Sequence, residues 1–216
     1  NNHVSTSGFG GIIDEARLYN RILSPDQITM IWNLGLGGGV SKRPNIVVIM
    51  TDDQDDRGTL DVMTNVKSQL LNQGVRFTNS FAVNPLCCPS RATFLTGQYS
   101  HNNNVWTNFF GGYDGRSGGY VTLAPTADNT LPTWLQKSGY YTGLIGKYLN
   151  GYGIDVPPTN VPPGWNTWVA AVDPTNHSYY NYTLNENGTL HTYGSSAQDY
   201  QTAVLSKKAV DFISAQ

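Results

Sequence analysis

The stretch that decides the fold is Cys87-Cys88-Pro89-Ser90-Arg91-Ala92-Thr93-Phe94-Leu95-Thr96-Gly97, which holds both cysteines of the chain. It predicts a turn that leads into a helix, because Pro89 suits a first turn and Gly97 is placed to end the helix. Cys87 would then lie at the helix N-terminus, where free N–H groups and the helix dipole favour an anion. Arg91 follows one turn later and can add a positive charge beside the same position. The pattern therefore predicts a reactive side chain next to an anion-binding site.

The frame Cys-x-Pro-Ser-Arg, followed by Ala-Thr-Phe-Leu-Thr-Gly, closely resembles the signature of type I sulfatases. In that family a formylglycine-generating enzyme oxidises the first cysteine to formylglycine, whose hydrate attacks the sulfate ester. The frame fits Cys87, because Pro89 follows at +2 and Arg91 at +4. Cys88 does not fit, since Ser90 stands at +2 from it. The resemblance implies that Cys87 is the modified nucleophile and that Arg91 belongs to the catalytic site.

Other interpretations of the cysteine pair remain open at this point. Adjacent cysteines can form a vicinal disulfide, can be buried as small apolar side chains, or can supply half of a metal site. The chain has only 2 cysteines, which disfavours a thiolate zinc site. None of these interpretations accounts for the Pro-Ser-Arg that follows the pair.

The composition excludes some classes of partner. The chain of 216 residues has a net charge of −2 and lacks the basic excess that nucleic-acid binding requires. No apolar run approaches the roughly 20 residues of a membrane span. With 23 glycines, 13 tyrosines and 13% charged residues, the chain is more typical of a secreted carbohydrate-active protein than of a disordered one. We therefore expect an extracellular location, or a periplasmic or lysosomal one.

The N-terminal region predicts one strand followed by one helix. The apolar residues of 12–18 indicate the strand, and Ser24-Pro25-Asp26-Gln27 starts the helix with Ser24 as N-cap and Gln27 completing a capping box. One strand and one helix cannot bury a core alone. The run 11–28 resembles the C-terminal strand and helix of laminin-G/concanavalin-like jelly-roll modules. The alternative is an ordinary strand and helix packed on the catalytic domain.

These features predict three segments. We expect residues 1–34 to be the C-terminal tail of a laminin-G/concanavalin-like module and residues 35–42 to be a glycine-rich linker. Residues 43–216 would form the N-terminal part of a sulfatase catalytic domain. The chain would then be a fragment that is inactive by itself.

An unbroken apolar run, Asn45–Thr51, predicts a strand buried on both faces of a parallel sheet. Asp52 and Asp53 would lie at its carboxyl end, where open α/β sheets place their sites. Adjacent carboxylates repel unless a positive charge lies between them, and oxygen ligands favour Ca²⁺, with Mg²⁺ as the second choice. The alternative is a solvated acidic loop. Type I sulfatases carry such a strand ending in paired aspartates, which bind the divalent cation together with formylglycine, and Asp52 and Asp53 match them.

The periodicity of the remaining chain predicts an α/β fold. We expect a helix over 63–73, a strand over 75–83, a helix over 131–139 and a strand over 140–145. A C-terminal amphipathic helix over 199–215 would present Ala203, Val204, Ala209, Val210 and Ile213 to the core. The sulfatase resemblance implies that the sheet belongs to an alkaline-phosphatase-like domain.

Two further residues match functional positions of the family. Lys147, in a Gly-Lys pair after the 140–145 strand, matches the lysine that binds sulfate, although a lysine there is usually a solvated charge. His101 matches a histidine near the substrate, although a lone loop histidine is often merely exposed. Leu149 stands where many members have a second histidine, which leaves the general acid unassigned.

The aromatic segments 164–168 and 179–183 resemble the N-acetylglucosamine-6-sulfatase branch. Such side chains can stack on sugar rings or can simply form core. Three glycosylation sequons begin at Asn176, Asn181 and Asn187.

We therefore expect a sulfuric ester hydrolase that acts on a sulfated carbohydrate with a formylglycine nucleophile. One alternative is a glycan-binding protein with an inactive sulfatase-like half. Another is a phosphoester or phosphonate hydrolase of the same superfamily. In the family a second pair of metal ligands lies well downstream, and nothing after residue 150 offers that pair at a strand end.

Overall fold

The computed structural model describes residues 24–27, 43–55, 57–111 and 115–216. The chain divides into two compact units, Asn1–Thr51 and Asp52–Gln216. Residues 25–27 are helical, and the predicted capping box is present, because Ser24 and Gln27 exchange side-chain hydrogen bonds with each other's backbone N–H. The rest of the predicted jelly-roll tail, and the linker 35–42, lie outside the described residues.

The second unit combines short helices with a small sheet. The helices are α1 (Thr59–Val62), α2 (Thr64–Val66), which continues as a π-helical turn (Lys67–Leu71), α3 (Cys87–Thr96), α4 (Ser100–Asn103), α5 (Gly119–Leu123), α6 (Leu131–Lys137) and α7 (Gln201–Ser214). Short 3₁₀ turns occupy Ala124–Thr126 and Ala197–Asp199. The strands are β1 (Gly143–Lys147), β2 (Thr167–Ala171), β3 (Thr183–Glu186) and β4 (Thr189–Thr192).

The sheet has the order β1-β2-β3-β4, with β1 and β2 parallel and the other pairs antiparallel. The last residues of the two parallel strands, Lys147 and Ala171, are paired. Both strands therefore end at the same edge of the sheet, which we call the carboxyl edge. The β3–β4 hairpin turns at Asn187-Gly188, where φ is 52° and 92°. Two positive φ values match the type I′ turn that an Asn-Gly pair favours.

Strand β2 is buried on both faces. Its Trp168 and Ala170 pack in one apolar cluster with residues of α3, including Cys88 and Ala92. Its alternate residues lie in a second cluster, against which α7 packs. Because successive strand side chains point to opposite faces, this alternation places helices on both sides of β2. The layered α/β fold predicted from the sequence is confirmed.

Two predicted strands are not formed. The run Asn45–Thr51 has no regular secondary structure, and its apolar side chains from Ile46 to Met50 are 41–73% exposed. Residues 75–83 likewise form no strand, and Phe77 and Phe81 are largely exposed. An apolar run becomes a strand only when a neighbouring strand takes its backbone hydrogen bonds. Within the described residues, neither run is paired with one.

Several other boundaries and faces differ from the prediction. The helix expected over 63–73 is divided between α1, α2 and the π-helical turn, none of which buries a side chain. Strand β1 begins at Gly143 rather than at residue 140, while α6 lies where a helix was expected. Strand β2 was not predicted. Of the two interpretations of the aromatic segment 164–168, sugar stacking or core, the full burial of Trp168 supports core.

The C-terminal helix forms, but its buried face was partly wrong. Val204 and Ala209 are half-buried as predicted, whereas Ala203, Val210 and Ile213 are exposed. Leu205 packs on the sheet instead, and a Cβ added at Gly143 would lie 2.6 Å from Phe212 Cζ. A helix with scattered apolar residues offers several possible faces, and contact with the sheet selects one of them. Among the described residues, no helix is long and apolar enough to cross a bilayer.

Candidate active site

Helix α3 presents Cys87 as its first residue, as predicted. Pro89 lies in the first turn, and Gly97 ends the helix with a left-handed φ of 66°. The N-cap residue, Leu86, has an apolar side chain that forms no capping hydrogen bond. The cap comes instead from Asn108, whose Oδ1 accepts a hydrogen bond from the Cys88 N–H at 2.9 Å. A loop distant in sequence therefore holds the N-terminus of this helix.

The two cysteines are chemically different, and both are free thiols. Cys88 is fully buried, and the loss of solvent raises the pKa of its thiol to about 12. Cys87 is half-buried, with its Sγ 3.8 Å from Asp52 Oδ1. The free thiols exclude a vicinal disulfide in this structure, and the burial of Cys88 makes it a core residue. Cys87 is the cysteine that faces the polar site.

Asp52 lies between two cations. Its Oδ2 is 3.0 Å from Arg91 Nη2 and 2.8 Å from Lys147 Nζ. Arg91 also donates from Nη1 to the carbonyl of Lys147 at 2.7 Å, which joins α3 to the end of β1. Burial alone would raise the pKa of Asp52, but the hydrogen bond and charge of Lys147, followed by those of Arg91, outweigh it and lower that pKa. Asp52 is therefore a stable carboxylate in a positively charged surrounding.

Asp53 completes a group of three potential metal ligands. Its backbone has a left-handed φ of 54°, and one ligand atom each from Asp52, Asp53 and Cys87 lies within 4.8 Å of the others. A hard cation with oxygen ligands at about 2.4 Å fits between atoms spaced in this way. A thiol sulfur is a poor ligand for such an ion, whereas an oxygen at the same residue is a good one. The two carboxylates therefore suit Ca²⁺ or Mg²⁺, whereas the thiol of Cys87 does not.

Of the remaining residues singled out in the sequence, one lies in the site and two lie outside it. Lys147 is in the site, but His101 is exposed and stacks on Tyr99, with ring centroids 5.6 Å apart. In the described part of the chain, no hydrogen bond or ion pair joins His101 to this group. Leu149 lies in the apolar core.

Sequence reasoning missed two polar residues that organise the site. Asn108 is one, and Asp173 is the other, because its Oδ2 accepts a hydrogen bond from the Gly151 N–H at 2.5 Å. That bond connects the exit of β2 to the segment that follows Lys147. No sequence signal marks either residue, since both act across 20 or more positions.

The three sequon asparagines differ in solvent exposure. Asn176 is 6% exposed, which disfavours a glycan there in this fold. Asn181 and Asn187 are exposed and lie in left-handed turn conformations. Glycosylation stays a prediction for all three asparagines, and the exposure of Asn181 and Asn187 favours these two.

Comparison with known proteins identifies the family. The sequence profile of the Sulfatase family matches residues 44–216, which is most of the chain. This chain belongs to the sulfatase family. The match includes every residue of the Asp52, Asp53, Cys87, Arg91 and Lys147 group.

Several curated sulfatases are similar to this chain. N-acetylglucosamine-6-sulfatase of Capra hircus is 38% identical over 187 residues, which covers 83% of this chain and 33% of that protein. The putative extracellular sulfatase Sulf-1 homolog of Caenorhabditis elegans is 36% identical over 176 residues, covering 81% of this chain and 23% of that protein. The chain thus spans a third or less of the length of these relatives.

One solved structure shares the fold. The structure of BT4656, in complex with its substrate D-glucosamine-2-N,6-O-disulfate, matches with a TM-score of 0.51 and 29% identity. The match covers 71% of this sulfatase chain and 26% of the BT4656 chain. The mixed sheet flanked by helices is accordingly part of an alkaline-phosphatase-like sulfatase domain.

Proposed function

We propose that this chain carries the nucleophile-bearing part of a sulfatase that removes the 6-sulfate of N-acetylglucosamine in a glycan. The observation that carries the proposal is the position of Cys87, at a helix N-terminus and 3.8 Å from the carboxylate that binds both Arg91 and Lys147. Family membership supports sulfate as the group transferred. The names of the Capra hircus and BT4656 relatives support a glucosamine substrate.

The cations of this chain suit a sulfate ester. The side chains of Arg91 and Lys147 are only 13% and 10% exposed, so their charges are weakly screened by solvent. Fixed donors aimed at the place where negative charge develops are often the largest contribution to catalysis. Arg91 and Lys147 would bind the sulfate oxygens and neutralise that charge, while Asp52 keeps both side chains in place.

The proposed mechanism also requires a modified cysteine and a bound cation. Formylglycine formed from Cys87 by a formylglycine-generating enzyme would supply the oxygen nucleophile. A divalent cation, Ca²⁺ or Mg²⁺, held by Asp52, Asp53 and the modified Cys87, would supply Lewis-acid activation of that oxygen. The helix dipole of α3 points its positive end toward the same place. We assign an extracellular location by analogy with the relatives named extracellular sulfatases.

The proposal also covers the parts of the protein that flank the site. Residues 1–34 would be the tail of a laminin-G/concanavalin-like module, joined through the linker 35–42 to the catalytic domain at 43–216. His101 is kept as a weaker substrate-binding candidate, since it contacts none of the other site residues.

The direct test is the mass of the tryptic peptide from Phe77 to Arg91, taken from protein made in its native host. Conversion of one cysteine to formylglycine makes this peptide about 18 Da lighter, and fragmentation assigns the change to Cys87 or Cys88. We expect the change at Cys87. Two intact cysteines would contradict the formylglycine mechanism and would favour a glycan-binding protein or a phosphoester hydrolase.

A further inference from the structure

Three tyrosines form an exposed aromatic cluster outside the catalytic group. The ring of Tyr200 lies 5.8 Å from that of Tyr179 and 5.7 Å from that of Tyr180, with tilts of 31° and 42°. Tyr179 is 63% exposed, and the other two are more than a third exposed. The three hydroxyl groups make no hydrogen bond within the described part of the chain. We call Tyr179, Tyr180 and Tyr200 the tyrosine cluster.

The topology places this cluster at the carboxyl edge of the sheet. Residues 172–182 connect β2 to β3, and they leave β2 beside Lys147, because Ala171 and Lys147 are paired. The hydrogen bond from the Gly151 N–H to Asp173 ties the start of this connection to the segment after Lys147. Tyr179 and Tyr180 are therefore carried by a connection that leaves the sheet at the same edge as Lys147, and the hydrogen bond from the Asn181 N–H to the Gly194 carbonyl places them beside the end of β4.

Tyr200 is brought to the same loop by the start of α7. The Gln201 N–H donates a hydrogen bond to the Tyr179 carbonyl at 2.9 Å, and Gln201 is the first residue of α7. The opposite end of α7 carries Phe212, which lies against Gly143 at the first residue of β1. Helix α7 thus runs from the carboxyl edge to the amino edge, and Tyr200 lies at the carboxyl edge.

We propose that the tyrosine cluster is a sugar-binding subsite that stacks on a pyranose ring of an oligosaccharide whose sulfated residue lies further along the carboxyl edge, at the catalytic group. This inference rests on the proposed function, since it assigns residues of this chain to a further sugar of the proposed glycan substrate. Exposed aromatic faces with free hydroxyl groups combine an apolar surface with hydrogen-bonding capacity, which matches the two surfaces of a sugar ring. By contrast, Trp168 and Tyr182 of the same aromatic segments are fully buried and serve the core.

The test measures binding of the full chain without requiring turnover. The probes are a tetrasaccharide that contains 6-O-sulfated N-acetylglucosamine and the corresponding sulfated monosaccharide, titrated by calorimetry. We expect the tetrasaccharide to bind more tightly than the monosaccharide. Tyr179→Ala and Tyr180→Ala should each weaken tetrasaccharide binding about 3- to 10-fold, the range of one aromatic contact, and should leave monosaccharide binding unchanged.

The matched control is Tyr141→Ala. Tyr141 is 56% exposed and contacts Phe212, but it precedes β1 and therefore lies at the amino edge, away from the catalytic group. This variant should bind both probes as the wild type does. Tyr200→Phe keeps the ring and should also bind normally, whereas Tyr200→Ala should not.

Equal affinity of the wild type for the two probes, or wild-type tetrasaccharide binding by Tyr179→Ala and Tyr180→Ala, would overturn the subsite. The modification of Cys87 is measured separately by peptide mass in protein made in its native host. A protein that shows the expected binding differences but has unmodified Cys87 would contradict the proposed function while leaving the subsite intact.

Discussion

Asp52 is the residue on which the polar site depends. Its carboxylate is in contact with two cations and faces the Cys87 sulfur through its other oxygen. Lys147 and Arg91 are both mostly buried, so each requires a partner for its charge. Removal of one partner from a buried ion pair leaves the other charge without compensation. The resulting loss of folding free energy exceeds the net contribution of the intact pair.

Asp52→Asn is therefore expected to lower the free energy of unfolding by about 1–3 kcal/mol at neutral pH, as judged by urea denaturation. Because the folded-state pKa of Asp52 is below the ordinary aspartate value of 3.8, the stabilisation is complete above pH 3.8 and is lost as the pH falls through the folded-state pKa. The difference between wild type and variant should thus be full at pH 7 and should disappear in strong acid.

Asp211→Asn is the matched control for this variant. Asp211 pairs with Lys207 at 2.5 Å, but these side chains are 60% and 75% exposed. Exposed pairs of this kind contribute little, so the control should change stability by less than about 0.5 kcal/mol. An Asp52→Asn effect no larger than that of the control, or one that persists unchanged in acid, would contradict the role assigned to the two cations.

At the scale of elements, the N-terminus of α3 depends on Asn108. The cap is supplied from a loop that is itself attached to the fold, since Gly119 N–H donates to the Thr107 carbonyl and Tyr120 N–H donates to the Asn150 carbonyl. The position of Cys87 therefore depends on contacts among α3, residues 107–108, the start of α5 and the segment after β1.

Asn108→Ala is expected to leave the buried Cys88 N–H without its partner and to destabilise the chain by about 1–3 kcal/mol. Amide hydrogen exchange should be faster at Cys88 and at the neighbouring residues of α3. Asn108→Asp keeps an acceptor oxygen and adds a negative charge that a helix N-terminus favours, so it should retain protection. Equal exchange at Cys88 in wild type and Asn108→Ala would show that the cap is dispensable.

Helix α7 provides a second test at this scale, because its buried face differs from the one predicted by periodicity. Leu205 packs against the cluster around Tyr182 and Leu184, whereas Val210 is 59% exposed. Leu205→Ala should lower the free energy of unfolding by about 1–3 kcal/mol, less than for a fully buried leucine. Val210→Ala should change it by less than about 0.5 kcal/mol. The reverse order would favour the originally predicted face.

At the scale of the whole molecule, the proposed metal site would couple ion binding to stability. In protein whose Cys87 has been converted to formylglycine, Ca²⁺ at 100 times its dissociation constant should raise the free energy of unfolding by about 2.7 kcal/mol. This increase would be measured as a higher melting temperature. Asp53→Asn is the control, because asparagine tolerates the left-handed backbone of this position but offers a neutral ligand. Ca²⁺ should raise the free energy of unfolding of this variant much less. An equal increase in wild type and variant would exclude Asp53 as a ligand.

The sequence alone determined the local features of the site. Helix α3 begins at Cys87 and ends at Gly97 because proline, glycine and helix dipole act within one or two turns, and these effects depend on neighbouring residues only. The association of Asp52, Arg91 and Lys147 could also be expected, since the family resemblance assigned them to one site. The same locality explains the correct placement of α6 and of the capping box at Ser24.

Only the tertiary structure decided which apolar segments are buried. Asn45–Thr51 has the pattern of a buried strand but is exposed, whereas the Trp168 segment is a strand buried on both faces. Strand formation and burial require hydrogen-bonding and packing partners that are remote in sequence, and no local pattern reports whether those partners are present. For the same reason, the cap from Asn108, the exposed position of His101 and the tyrosine cluster could be recognised only after the chain had been folded.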